Sequence, residues 1–259
     1  KGIVLRSAKD AFIAGADLTS SDVFGFDKVN EDKVKAAEKI YNGNMEMQML
    51  FRNMETSGKP FVAAINGHAL GGGFEICLSC HYRVAIDNDK IQIGQPEAKV
   101  GLIPGAGGTQ RVPRLAGVTQ EMMGFLLAGT PLTPKKALAA GLINEVVDEK
   151  DLIDAAKKYI IDGGKAVQPW DEKGYKFPGG LPYTPKGMML WAAASSSLRK
   201  KQDKKTAKQT HTRASLFRQN IQKLLEHNAN YFSTPSIHMV FSIWLMKVVI
   251  RRLTKMVTQ

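Results

Sequence analysis

The run Phe61-Val62-Ala63-Ala64-Ile65 is wholly apolar, with no polar residue on either side of its alternation. A strand with one face in water alternates apolar and polar residues, so an unbroken run of this length belongs to a strand covered on both faces. That points to a parallel sheet under helices, and the flanking sequence agrees. Upstream, Val34, Ala37, Ile40, Tyr41, Met45 and Met49 recur at helical spacing within residues 31–57, a segment closed by Gly58 and Pro60. Downstream, Asn66-Gly67-His68-Ala69-Leu70-Gly71-Gly72-Gly73 breaks the strand; a helix is expected over 74–80 and a second strand over Tyr82–Ile86, stopped by Asp87-Asn88-Asp89. Further strands are expected over 91–94 and 142–147, with a glycine-rich loop over 101–108 and a helix over 118–128. Thr133-Pro134 supplies a capping hydroxyl and a proline at the first helical position, and Gly141 ends that helix. Strands alternating with helices define the α/β class.

Charge divides the chain more sharply than apolarity does. Of the net +12, residues 195–259 carry 13 Lys/Arg against 2 Asp/Glu, whereas residues 1–194 carry 23 against 22. Three parts follow: a core over 1–150, a helix with a Gly/Pro-rich surface segment or linker over 151–194, and a basic tail over 195–259. Self-repulsion and a shortage of apolar residues in its first half make the tail poorly ordered or loosely helical, and open to trypsin between Arg199 and Arg218. Its basic residues suit nucleic acid or anionic lipid, but an extension with no selected role explains them as well. Residues 237–250 are apolar yet short of a membrane span and contain Lys247, so no stable membrane insertion and no nucleic-acid partner are expected.

Cys77 and Cys80 give no disulfide framework, which makes a reducing cytosol the default compartment. They fall in the middle of a short apolar helix, where cysteine packs as a small apolar residue. His68 and His81 have no third ligand at metal spacing. The chain opens at Lys1 without Met, runs at once into the strand Ile3-Val4-Leu5, and shows no secretory pattern, so its start is expected to be internal to a longer protein.

Chemistry concentrates in three segments. Glu75 stands two residues after a triple glycine, in the first turn of a helix that follows an apolar strand. Unpaired N–H groups in such a turn suit an anion or a developing oxyanion, and a carboxylate beside them suits acid–base work on a polarised carbonyl. Tight strand-to-helix packing with Glu75 as a dipole partner accounts for the same residues equally well. Glu97, in Gln95-Pro96-Glu97, precedes Gly101-Leu102-Ile103-Pro104-Gly105-Ala106-Gly107-Gly108; in isolation it would be a solvated surface glutamate. Ala14-Gly15-Ala16-Asp17 offers a second small-residue turn.

Taken together, Phe12 to Leu18, Ala64 to Glu75 and Gly94 to Arg111 resemble, in order and spacing, the crotonase or enoyl-CoA hydratase/isomerase superfamily. The resemblance covers about residues 1–150 and implies a spiral of ββα units that binds a coenzyme A thioester. It implies that the N–H groups of Ala16 and Gly72 hold the thioester oxygen, that Glu75 is the base toward water, and that Glu97 is the proton donor at the α-carbon. Ala14, Asp17, Leu18, Gly71, Pro104 and Gly105 would bind acyl-CoA, with Ala14 and Leu18 along its nucleotide part. Having both acids favours hydration of a trans-2-enoyl-CoA; isomerisation, thioester hydrolysis or an inactive remnant with a surface-binding tail are the rivals. A narrower likeness, over residues 163–189, is to the segment after the hydratase domain in bacterial bifunctional hydratase/3-hydroxyacyl-CoA dehydrogenases. No strand–Gly-x-Gly-x-x-Gly–helix unit is present, so no NAD site and no cofactor beyond the CoA of the substrate are expected. A homo-oligomer or a place in a multienzyme complex is expected. Two departures stand out: the opening strands of complete members are missing before Lys1, and their C-terminal helices are not recognisable after about residue 194.

Overall fold

The computed structural model describes residues 1–15, 33–100, 102–117 and 119–180, with single positions between 184 and 196; at some of these, residues 33–40 among them, only the backbone is described. The strands are β1 (Ile3–Leu5), β2 (Phe61–Ile65), β3 (Ala69–Leu70), β4 (Tyr82–Ile86), β5 (Ile93–Gly94) and β6 (Glu145–Val147). The helices are α1 (Lys33–Thr56), α2 (Gly72–Ser79), α3 (Gly108–Ala116), α4 (Gln120–Leu126), α5 (Pro134–Ala139) and α6 (Leu152–Ile161). One parallel sheet has the order β1-β2-β4-β6, and a second, small parallel sheet pairs β3 with β5.

The chain repeats one step: a strand in the large sheet, a shorter partner in the small one, then a helix. β2, β3 and α2 make one such turn, and β4, β5 and α3 the next. An earlier turn is β1, the parallel bridge of Ile13 to Ala69, and α1. This is the expected ββα spiral. Val62, Ala63, Ala64 and Ile65 are fully buried, as an unbroken apolar run requires, and they share one core with Phe74, Cys77 and Leu78 of α2. Phe74 meets Phe125 edge-on at 5.8 Å, an arrangement that suits the ring quadrupoles. Gly73 lets α2 lie directly on the chain at Ile13, because a Cβ there would run into the Ile13 carbonyl.

Several expectations change on contact with the fold. The strand expected over 142–147 is paired only from Glu145, because the side chain of Asn144 takes the Arg83 N–H at 2.9 Å and Leu142 O accepts from the Arg83 guanidinium at 2.9 Å. Thr133 precedes α5 without a side-chain capping bond. Met49 is 46% exposed; the inward line of α1 instead runs through Met45, Gln48, Phe51 and Glu55. A 3-10 turn at Pro96–Lys99 and helix α3, carrying Pro113, were not anticipated.

Packing also continues past residue 150. Leu152 and Ala156 of α6 belong to the core formed by the sheet. Nor is 163–187 only a surface segment. Gln168 is fully buried and its amide donates to the carbonyls of Ser79 and Cys80 at 3.1 Å, where α2 leaves them without helical partners. The tail expectation for 195–259 falls almost wholly outside the described residues. Among the described residues no helix is long and apolar enough to cross a membrane.

Candidate active site

The small sheet brings the two glutamates together. β3 leads through Gly71 into α2 and so to Glu75, while β5 leads into the 3-10 turn that carries Glu97. The Gly71 N–H donates to Gly94 O at 2.9 Å, which locks the two exits side by side. Glu97 Oε1 lies 3.0 Å from the point a Gly71 Cβ would occupy, so the carboxylate sits against the backbone that opens α2. The next residue, Gly72, has open space where its Cβ would be. Among the described residues its N–H meets no backbone carbonyl, as expected in the first turn of a helix.

Glu75 is 2% exposed and accepts a hydrogen bond from the Gly108 N–H at 2.7 Å. Burial pushes its carboxyl up to about 7, against the opposing pull of the Gly108 amide and the Arg111 charge. Glu97 is half-buried, and burial together with the negative charge of Glu75 pushes it up to about 8. The charge of Glu75 is thus felt by Glu97, and the Gly108 N–H holds the Glu75 anion at 2.7 Å.

Gln95 is fully buried beside Glu97. With its amide nitrogen turned to Glu97, the orientation in which each of its polar atoms faces a complementary partner, it donates to Oε1 and Oε2 at 3.3 Å. Behind the pair, Arg111 bonds Glu55 at 2.6 Å and the Ala106 carbonyl at 3.0 Å. Arg52 joins Glu55 to Asp171. None of Gln95, Arg111 or Glu55 was singled out from the sequence. Gln95 and Arg111 stand inside the motifs that carry the family resemblance, which is a usable signal; Glu55 is one more charge on an amphipathic helix and gives none.

Of the other expected site residues, Gly71, Pro104 and Gly105 border this region: Pro104 is buried and Gly105 O accepts from Gln48 at 2.8 Å. Ala14 is exposed, and its neighbour Gly15 approaches Gly71, with its Cα 3.8 Å from the Gly71 Cβ position. Ala16, Asp17 and Leu18 lie outside the described residues. Cys77 and Cys80 are buried, and burial raises both thiols, the second to about 12, as packing residues rather than nucleophiles. His81 takes the Phe61 N–H on Nδ1 at 3.0 Å, which leaves Nε2–H to donate to Glu55 O at 3.0 Å, a structural tautomer.

Parallel ββα turns that bring a carboxylate pair against a helix N-terminus make a crotonase-type α/β scaffold. The chain belongs to the enoyl-CoA hydratase/isomerase family, whose model matches residues 1–162. It is 41% identical over 170 residues to the fatty acid oxidation complex subunit alpha of Shewanella frigidimarina, covering 65% of this chain and 22% of that protein. The protein of the same name from Idiomarina loihiensis is 44% identical over 162 residues, covering 62% of this chain and 21% of that protein. The chain therefore spans about a fifth of the length of these curated relatives. Among solved structures, an enoyl-CoA hydratase from Bacillus anthracis matches with a TM-score of 0.51 at 31% identity, covering 62% of this chain and 58% of that one. Human mitochondrial delta3-delta2-enoyl-CoA isomerase shares the fold, with a TM-score of 0.52 at 21% identity over 96% of this chain and 80% of that one.

Proposed function

We propose that this chain carries the enoyl-CoA hydratase chemistry of a fatty-acid oxidation protein, adding water across the C2–C3 bond of a trans-2-enoyl-CoA. The observation that carries the reading is the carboxylate pair itself: Glu75, buried with the Gly108 N–H on its oxygen at 2.7 Å, and Glu97 against Gly71 at the start of the same helix, both pushed up by burial. Two acids whose proton affinities differ divide the roles of base and acid. The Gly108 N–H on Glu75 and the Glu75 charge beside Glu97 favour Glu75 as the charged partner and Glu97 as the one that keeps the proton.

The water O–H proton passes to Glu75 as the water oxygen bonds to C3. The C2–C3 electron pair shifts toward the thioester, whose oxygen takes negative charge, and C2 then receives the proton of Glu97. One H and one OH have been added, and a proton moving from Glu75 to Glu97 restores the start. Gly72 N–H, with Ala16 N–H as its partner, would hold the thioester oxygen. Ala14, Asp17, Leu18, Gly71, Pro104 and Gly105 would line the acyl-CoA path. The protein groups need no further cofactor, since CoA arrives with the substrate. The relatives' name supports a place within a multienzyme complex, and two buried thiols suit the cytosol.

The test is hydration of crotonyl-CoA. Glu75→Gln and Glu97→Gln should each lower kcat about 10²- to 10⁴-fold, the usual worth of a general acid or base. Loss from only one of the two would favour isomerisation or thioester hydrolysis. The wild-type kcat/KM should be bell-shaped in pH with its optimum between about 7 and 8, values that belong to the pair as a whole. A plateau from pH 5 to 9 would rule out this division of roles.

A further inference from the structure

A buried charge system stands behind the carboxylate pair, and the hydration steps leave it without a role. Glu55, near the end of α1, has a side chain only 1% exposed. A carboxylate there is tolerable only if its oxygens are paired. Arg111 Nε takes Oε1 at 2.6 Å and Arg52 takes Oε2 at 2.9 Å. Arg52 in turn makes a two-pronged contact with Asp171 at 2.6 and 2.9 Å, so the outer anchor lies beyond the residues matched by the family.

A guanidinium is planar, and fixing one nitrogen fixes where the others point. With Nε on Glu55, Nη1 of Arg111 reaches the Ala106 carbonyl at 3.0 Å. Gly107 follows at φ 107°, and a Cβ there would fall on the guanidinium itself. The Arg111 main-chain N–H also bonds Gly107 O at 3.0 Å, so one residue grips the turn by backbone and side chain together. From the far side Gln48 of α1 holds Gly105 O at 2.8 Å. This turn presents its backbone amides to Glu75, foremost the Gly108 N–H at 2.7 Å, with Ala106 and Gly107 also acting on the carboxylate.

We propose that Arg111 is a positioning residue for Glu75: anchored on Glu55, it fixes the Ala106–Gly108 turn so that the Gly108 amide is aimed at the carboxylate. The kinetic consequence rests on the hydratase reading; the geometric claim does not. The charged groups facing Glu75 are Arg111 from α3, which lowers its proton affinity, and Glu97 from the 3-10 turn, whose own proton affinity Glu75 raises.

The test uses the full 259-residue chain with glycine ¹⁵N and glutamate ¹³Cδ labels, 24 glycines being few enough to assign. In the wild type the Gly108 amide should titrate with the same midpoint as the Glu75 carboxyl. Arg111→Lys keeps the charge and loses the fork. In that variant, with circular dichroism unchanged, the Gly108 amide should stop following Glu75, and kcat on crotonyl-CoA should fall at least tenfold with KM within about twofold. Glu55→Gln, which can serve only one of the two arginines, should do the same and decides the matter if Arg111→Lys does not fold. The proposal is overturned if the wild-type amide ignores Glu75, or if a folded variant keeps the coupling and turns over within threefold of wild type. A wild type with the coupling intact and no turnover of crotonyl-CoA would sink the hydratase reading and leave the positioning role standing.

Discussion

Glu75 is held where its charge costs stability. Its folded value, about 7, lies above the ordinary 4.5, so its contribution to stability is complete below pH 4.5 and is lost as the pH rises through 7. Glu75→Gln should therefore stabilise the fold at pH 8–9 while it abolishes acid–base work, by on the order of 2–3 kcal/mol. The gap should close by about pH 4, where both side chains are neutral. Thermal unfolding of the two proteins across that range measures it, and equal melting temperatures at pH 9 would mean that the carboxylate is solvated. Glu97→Gln carries the same sign and a smaller size, since Glu97 keeps part of its surface in water. The sequence shows which residues are glutamates near glycines, but not this cost, which arises from burial at Glu75 and, at Glu97, also from a partner 22 positions away.

Among the elements, α2 is the one on which the site hangs. Its start is fixed by contact of Gly73 with the chain at Ile13, and its end by Gln168, which reaches back from beyond α6. Gln168→Ala would leave buried carbonyls without that donor, a loss of about 1–3 kcal/mol. The urea midpoint should drop with the slope unchanged, and an unmoved midpoint would show that the contact carries no weight. Gly73→Ala should do more, since a Cβ would meet the Ile13 carbonyl and α2 would have to move. The triple glycine was legible because it is contiguous and answers to local geometry. Neither the 3-10 turn under Glu97 nor α3 was legible: a loop of glycines and prolines gives no periodicity, and Pro113 argues locally against the helix that tertiary packing imposes.

The whole molecule is tied across regions that the sequence separates. Arg52 and Asp171 are 119 positions apart, and Gln168 and Ser79 are 89. A chain cut after residue 162, where the family match ends, would lose both ties; one cut after residue 180 would keep them. The shorter chain should unfold at a lower temperature, and the difference should shrink when Asp171→Asn and Gln168→Ala are placed in the longer one. Equal melting temperatures for the two truncations would show that the core ends where the family does.

By itself the sequence determined the alternation of strands with helices, the buried parallel strand and the place of Glu75 after its glycines, because these rest on apolar runs and backbone freedom within a few residues; the ββα spiral came from the family resemblance. Only the tertiary structure decided that Glu97 stands against Gly71, that Gln95 and Gly108 divide the two carboxylates, and that Arg111 is spoken for by Glu55. Proton affinity is set by burial and by charges a few ångströms away, and those neighbours are brought together by sheet pairing and core packing, not by nearness along the chain.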